Sequence, residues 1–133
     1  MVDMAAITRF WTSDLGGQIL AHADCVQREV PFTVRLDRQS AGGVPLLGAL
    51  PDEEFIVVQG VVDLAVILRD EIWIVDFKTD QVSGKDLERR AREYGLQLKL
   101  YGIALSRVYR KPATQQWLHF LATGKSIAVP TPC

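Results

Sequence analysis

Three charged residues stand at chemically suggestive places in otherwise apolar runs. Asp76 and Lys78 fall near the end of IWIVDFKTD (72–80), and Asp63 interrupts FIVVQGVVDLAVIL (55–68). Residues two apart on a strand share a face, so Asp76 and Lys78 point the same way. Carboxylates held close together repel, and protonation or a divalent cation relieves the repulsion. Mg²⁺ takes a few carboxylate oxygens and keeps waters and phosphate oxygens for its remaining positions. An amine beside such a pair favours a phosphate anion or a nucleophile derived from water. The plain alternative is an exposed strand end whose acids pair with Lys78.

The choice depends on how the two runs pair. With Arg69-Asp70 as a two-residue turn, Leu68 faces Glu71, Val66 faces Trp73, Leu64 faces Val75 and Asp63 faces Asp76. Facing residues have Cβ atoms roughly 4.5–5.5 Å apart, so the two carboxylates meet. The alternation also places the Phe77 ring in the core.

The remaining chain supplies the frame. AAITRFWTSDLGGQILAHAD (5–24) reads as one helix weakened by Gly16 and Gly17, and residues 25–36 as a strand in which Pro31 marks an edge or a bulge. Residues 37–54 read as a long surface connection, and Gly60 as a break in the strand over 55–68. A helix over 84–110 carries an apolar stripe of Leu87, Ala91, Tyr94, Leu98, Tyr101, Leu105 and Val108. TQQWLHFLATGKSIAV (114–129) reads as a hairpin turning at Thr123-Gly124. The fold class that follows is α/β, with a mixed central β-sheet flanked by helices.

Composition narrows the function. The chain has 133 residues, 48% of them hydrophobic, and a net charge of −1, as expected of one globular domain rather than a generic polybasic binder. No apolar run approaches the roughly 20 residues of a membrane span, and the N-terminus does not read as a secretory signal. Cys25 and Cys133 lack the spacing of a zinc or iron–sulfur site. No membrane association, no iron–sulfur cluster and a cytoplasmic location are the expectations.

QGVVDLAV, WIVDFKTD and YGLQLKLYGIAL, in that order and spacing, resemble the RecB-type branch of the PD-(D/E)xK nuclease superfamily, and within it the C-terminal nuclease domain of AddA-type helicase–nuclease subunits. REVPF (28–32) fits the same pattern. The resemblance implies a restriction-endonuclease-like core and metal-dependent cleavage of DNA, exonuclease-type and on single strands, in recombinational repair. A helicase domain or subunit is the implied partner, and Mg²⁺ or Mn²⁺ the implied cofactor. Asp63 and Asp76 would be metal ligands, with the Phe77 backbone carbonyl completing the shell. Lys78 would orient or activate the attacking water. Glu29 matches the acid near the metal, and Gln97 with Tyr101 matches the Q-x-x-x-Y motif that borders the site and contacts DNA or the lysine. Thr79 and Tyr94 match less well.

Family members also carry a metal-binding histidine on a helix well upstream of the Glu29 position. The expectation is one nuclease-like domain over 1–133 without that helix. His22 does not take the role, and His119 reads as structural. PDEE (51–54) mimics the family's Pro-Asp but falls in a solvated turn. Residues 84–111 hold eight Lys or Arg against three acids. Lys85, Arg89, Arg90 and Arg92 are therefore the expected contacts to a DNA backbone, unless they form an ordinary solvated face. The rival readings are a weak or inactive nuclease-fold module for DNA binding or assembly, and a structural domain without nucleic acid.

Overall fold

In a computed structural model, which describes residues 4–40, 45–80 and 84–130, the chain forms a five-stranded mixed sheet with helices on both faces. Cys133 and residues 41–44 lie outside the described residues. The strands run in chain order: β1 (Val26–Asp37), β2 (Phe55–Ile67), β3 (Ile72–Lys78), β4 (Ala113–Phe120) and β5 (Lys125–Val129). All neighbours pair antiparallel except β3 and β4. That parallel pair needs a crossover, supplied by the 25-residue helix α4 (Lys85–Tyr109).

The expected register holds. Leu64 faces Val75, Val66 faces Trp73, and Leu68 N–H donates to the Glu71 carbonyl across Arg69-Asp70. Pro31 lies on an edge strand, as its missing N–H requires. Gly124, with a φ of 73°, makes the final turn.

The sheet carries two cores. On one face α4, through Leu87, Leu98 and Leu105, packs with Val30, Phe32, Leu36, Val58, Val62, Ile72 and Ile74. On the other, Phe10, Leu15 and Ile19 pack with Leu64, Val66 and Val75. An uninterrupted strand puts residues two or four apart on one face. Yet Val26 and Val30 lie in different cores, as do Val62 and Leu64. The reversal is centred on Glu29, a non-glycine residue in the left-handed region at φ 51°. Arg28 faces Leu64 and Val30 faces Val62, so the rung between them is Glu29 and Asp63.

Several expectations need correction. The first helix is two, α1 (Met4–Thr12) and α2 (Asp14–Leu20), because Ser13 caps the second: its Oγ accepts from Gly16 N–H at 3.2 Å. Gly16 lets the helices meet, since a Cβ there would lie 2.1 Å from the Phe10 carbonyl oxygen. Gly60 does not break β2; it makes room for the rings of Phe32 and Tyr101. The connection before β2 is not all surface, because it includes a short helix, α3 (Pro45–Gly48), whose Leu47 is fully buried. Val108 lies off the buried stripe and is exposed, whereas Gly95, Gly102 and Ala104 are buried. Phe77 is only half-buried, with its ring edge-on to Phe10 at 4.9 Å.

Candidate active site

The site forms where the β2–β3 ladder ends. Leu64 and Val75 are the last paired residues on that side, so Phe77 N–H loses its strand partner and donates to Asp63 Oδ2 at 2.8 Å. A carboxylate thus closes the ladder, a charge-assisted bond in place of a neutral one. Asp76, next along β3, is buried, and its carboxyl hydrogen-bonds that of Asp63.

Burial, reinforced by the bond to Asp63, pushes the Asp76 carboxyl up to about 6. Lys78 opposes this from nearby, with Nζ 2.8 Å from Asp76 Oδ2. Two acids and an amine therefore share one strand end as the alternation predicts, and the lysine does not fully offset the burial.

Glu29 and Asp63 line one cleft of about 570 Å³, with Arg28, Trp11, Phe77 and Thr79 around them. The guanidinium of Arg28 lies 5.2 Å from the Trp11 ring centroid. Asp76, Asp63 and Glu29 are hard oxygen donors, a set suited to Mg²⁺ or Mn²⁺ rather than to a soft metal. The donor chemistry fits such an ion. Among the described residues, no three acids, histidines or cysteines gather at ligand spacing.

Gln97 and Tyr101 pair with one another on α4. Gln97 is exposed and its Nε2 donates to Tyr101 Oη at 3.2 Å, while the Tyr101 ring packs edge-on against Phe32 at 5.0 Å. Neither is hydrogen-bonded to Lys78. The ring over the lysine belongs to Tyr94, with Nζ 4.2 Å from its centroid. Tyr94 Oη in turn donates to both oxygens of Asp80, at 3.0 and 2.8 Å. The Asp80 carboxylate raises the Tyr94 hydroxyl above its ordinary value, first through that bond and then through burial and charge.

Sequence reasoning passes over Asp80, Arg28 and Trp11. For Asp80 a signal exists, because Asp76, Lys78 and Asp80 recur at spacing two. Arg28 and Trp11 are ordinary residues on separate elements, and only the fold brings them together.

Of the expected basic contacts, Arg89 pairs with Asp86 at 3.4 Å and Arg90 with Asp80 and Glu93 at 3.8 Å each. Lys85 opens α4, and Arg92 borders a separate groove between α4 and β5 with Leu96 and Lys99. His22 is exposed at a helix end, edge-on to Trp73. His119 is fully buried, its Nδ1 2.7 Å from Ser126 Oγ, and burial lowers its pKa. Asp52 is a surface residue paired with Arg38 at 2.9 Å.

Residues 5–129 match the model of the PD-(D/E)XK nuclease superfamily. The chain belongs to this superfamily. Asp76-Phe77-Lys78 has the D-x-K pattern that appears in the superfamily's name. An ATP-dependent helicase/nuclease subunit from Carboxydothermus hydrogenoformans is 35% identical over 129 residues, which cover 97% of this chain and 11% of that protein. Its counterpart in Bacillus cereus strain G9842 is 39% identical over 124 residues, covering 86% and 9%. The chain spans about a tenth of the length of these relatives. A solved structure titled "Crystal structure of SSO0001" superposes with a TM-score of 0.54 at 16% identity, over 90% of this chain and 48% of that one. At that identity the likeness bears on the fold alone.

Proposed function

We propose that the chain is a metal-dependent deoxyribonuclease, the nuclease unit of a cytoplasmic helicase–nuclease in recombinational repair. It hydrolyses phosphodiester bonds exonucleolytically in single strands delivered by a helicase domain or subunit. The observation that carries this reading is the contact between Asp63 and Asp76 with Lys78 at 2.8 Å. Asp63, Asp76 and the Phe77 carbonyl would hold Mg²⁺ or Mn²⁺, with Glu29 beside them in the cleft. When bound, the ion supplies positive charge at the attacked phosphate and makes a water more acidic. Lys78 carries a fixed positive charge to where negative charge develops, orienting the water and steadying the phosphate oxygens. The water oxygen attacks phosphorus, the bond to the leaving sugar oxygen breaks, and a proton passes to that oxygen. Gln97, Tyr101 and the cations Lys85, Arg89, Arg90 and Arg92 are proposed to guide the strand.

A second reading has its own observation: no third ligating side chain joins the two carboxylates among the described residues. It makes the chain a nuclease-fold module for DNA binding or assembly. End-labelled single-stranded DNA incubated with Mg²⁺ or Mn²⁺ separates the two. Cleavage by wild type, lost roughly 10²–10³-fold in Lys78→Met, supports the enzyme. Equal inertness of wild type and Asp76→Ala at high metal supports the module.

A further inference from the structure

Among the described residues, the Lys78 ammonium touches two groups, Asp76 of the carboxylate pair and Tyr94 outside it. Its ammonium lies between Asp76 Oδ2, at 2.8 Å, and the face of the Tyr94 ring, at 4.2 Å from the centroid. The ring is held from behind. Its hydroxyl donates to both oxygens of Asp80, and Arg90 Nε stands 3.8 Å from the same carboxylate. Strand β3, the residues just after it and the first half of α4 are thereby tied together at one point. Tyr94 also leans on the buried Phe120 ring, 6.4 Å between centroids.

We propose that Tyr94, set by Asp80 and Arg90, is a positioning residue for Lys78. The inference rests on the nuclease reading and deepens it. An ammonium held only by Asp76 would occupy an oxygen that a cation also needs. The negative face of an aromatic ring attracts a cation without spending a carboxylate. Tyr94 gives the ammonium a second resting face, so it stays aimed when Asp76 is engaged. The bond to Asp80 moves electron density into the phenol and fixes the ring plane. Arg90 braces this arrangement through Asp80 and also pairs with the exposed Glu93.

The test uses the full chain, isotopically labelled at lysine, with Lys78→Arg identifying the Lys78 resonance. Protons above a ring face shift upfield, so the Lys78 ε-methylene should stand apart from those of the other four lysines. Tyr94→Leu should abolish this displacement and lower kcat roughly 2- to 30-fold, with KM within twofold of wild type. Tyr94→Phe, which keeps the ring, and Asp80→Asn, which keeps the ring but weakens the bond that fixes its plane, should fall between. An undisplaced Lys78 signal in wild type overturns the inference. So does a Tyr94→Leu protein that loses the displacement yet cuts at the wild-type rate. A wild type that cuts nothing with any divalent cation, but whose Lys78 signal is displaced, overturns the nuclease reading instead.

Discussion

Asp63 accepts the Phe77 backbone N–H at 2.8 Å with one carboxylate oxygen while hydrogen-bonding the Asp76 carboxyl. One side chain thus ends a ladder and crowds a second acid. Asparagine could keep the first task with Oδ1 and turn its amide towards Asp76. Asp63→Asn should therefore stabilise the metal-free protein by a fraction of a kcal/mol up to about 1 kcal/mol, measured by urea unfolding in chelator. Destabilisation would refute the paired-acid geometry.

Asp76 also makes stability depend on pH. Its carboxyl is raised from 3.8 to about 6 on folding, chiefly by burial. Between these values the folded state holds a proton that the unfolded state has lost. The contribution of Asp76 to stability is therefore full below about pH 4 and is lost as pH rises to about 6, by on the order of 2–3 kcal/mol. Urea midpoints across this window should show the decline, and Asp76→Asn should flatten it. Mg²⁺, which favours the ionised acid, should stabilise the protein more at pH 7 than at pH 5.

Phe77 gives a packing test. A fully buried phenylalanine costs about 3–5 kcal/mol when cut to alanine. Phe77 is half-buried at the cleft wall, with its ring edge-on to Phe10. Phe77→Ala should cost less, about 1–3 kcal/mol by chemical denaturation. A loss in the full core range would show the ring to be covered in solution.

Gly16 sets two principles against each other. Helix propensity alone favours alanine over glycine by about 1 kcal/mol. The Phe10 carbonyl oxygen, 2.1 Å from the Cβ that alanine would bring, is backbone and cannot swing aside. Gly16→Ala should lower stability by about 3 kcal/mol, since α1 must shift to admit the methyl. A raised melting temperature would show that the two helices do not meet so closely.

The hairpin that carries the acids is legible in the sequence because its turn is only two residues long and its alternation strong. Together these leave one register that buries Leu64, Val66 and Val75. The family resemblance draws on the same strands, together with REVPF and the α4 motif. What escapes is close approach between separate elements. Gly16 and Gly60 read as weak points because propensity sees the chain one residue at a time, whereas their missing side chains admit Phe10, Phe32 and Tyr101. Leu47 escapes because a short apolar run broken by Pro45 and Gly48 carries no period. The Q-x-x-x-Y motif points to Gln97 and Tyr101 as bordering the site and contacting DNA or the lysine; the ring over Lys78 is that of Tyr94, two turns before Tyr101, which packs on Phe32.

The reversal at Glu29 and Asp63 has a consequence for motion. Val26, Leu64 and Val66, on one side of that rung, pack in the core under α1 and α2, whereas Val30 and Val62, on the other side, pack in the core under α4. Two such layers can open as separate cooperative units, and their amides should then exchange with solvent at two distinct rates. A ligand gripping Glu29, Asp63 and Asp76 would touch the boundary itself. It would bind the halves into one and merge those rates.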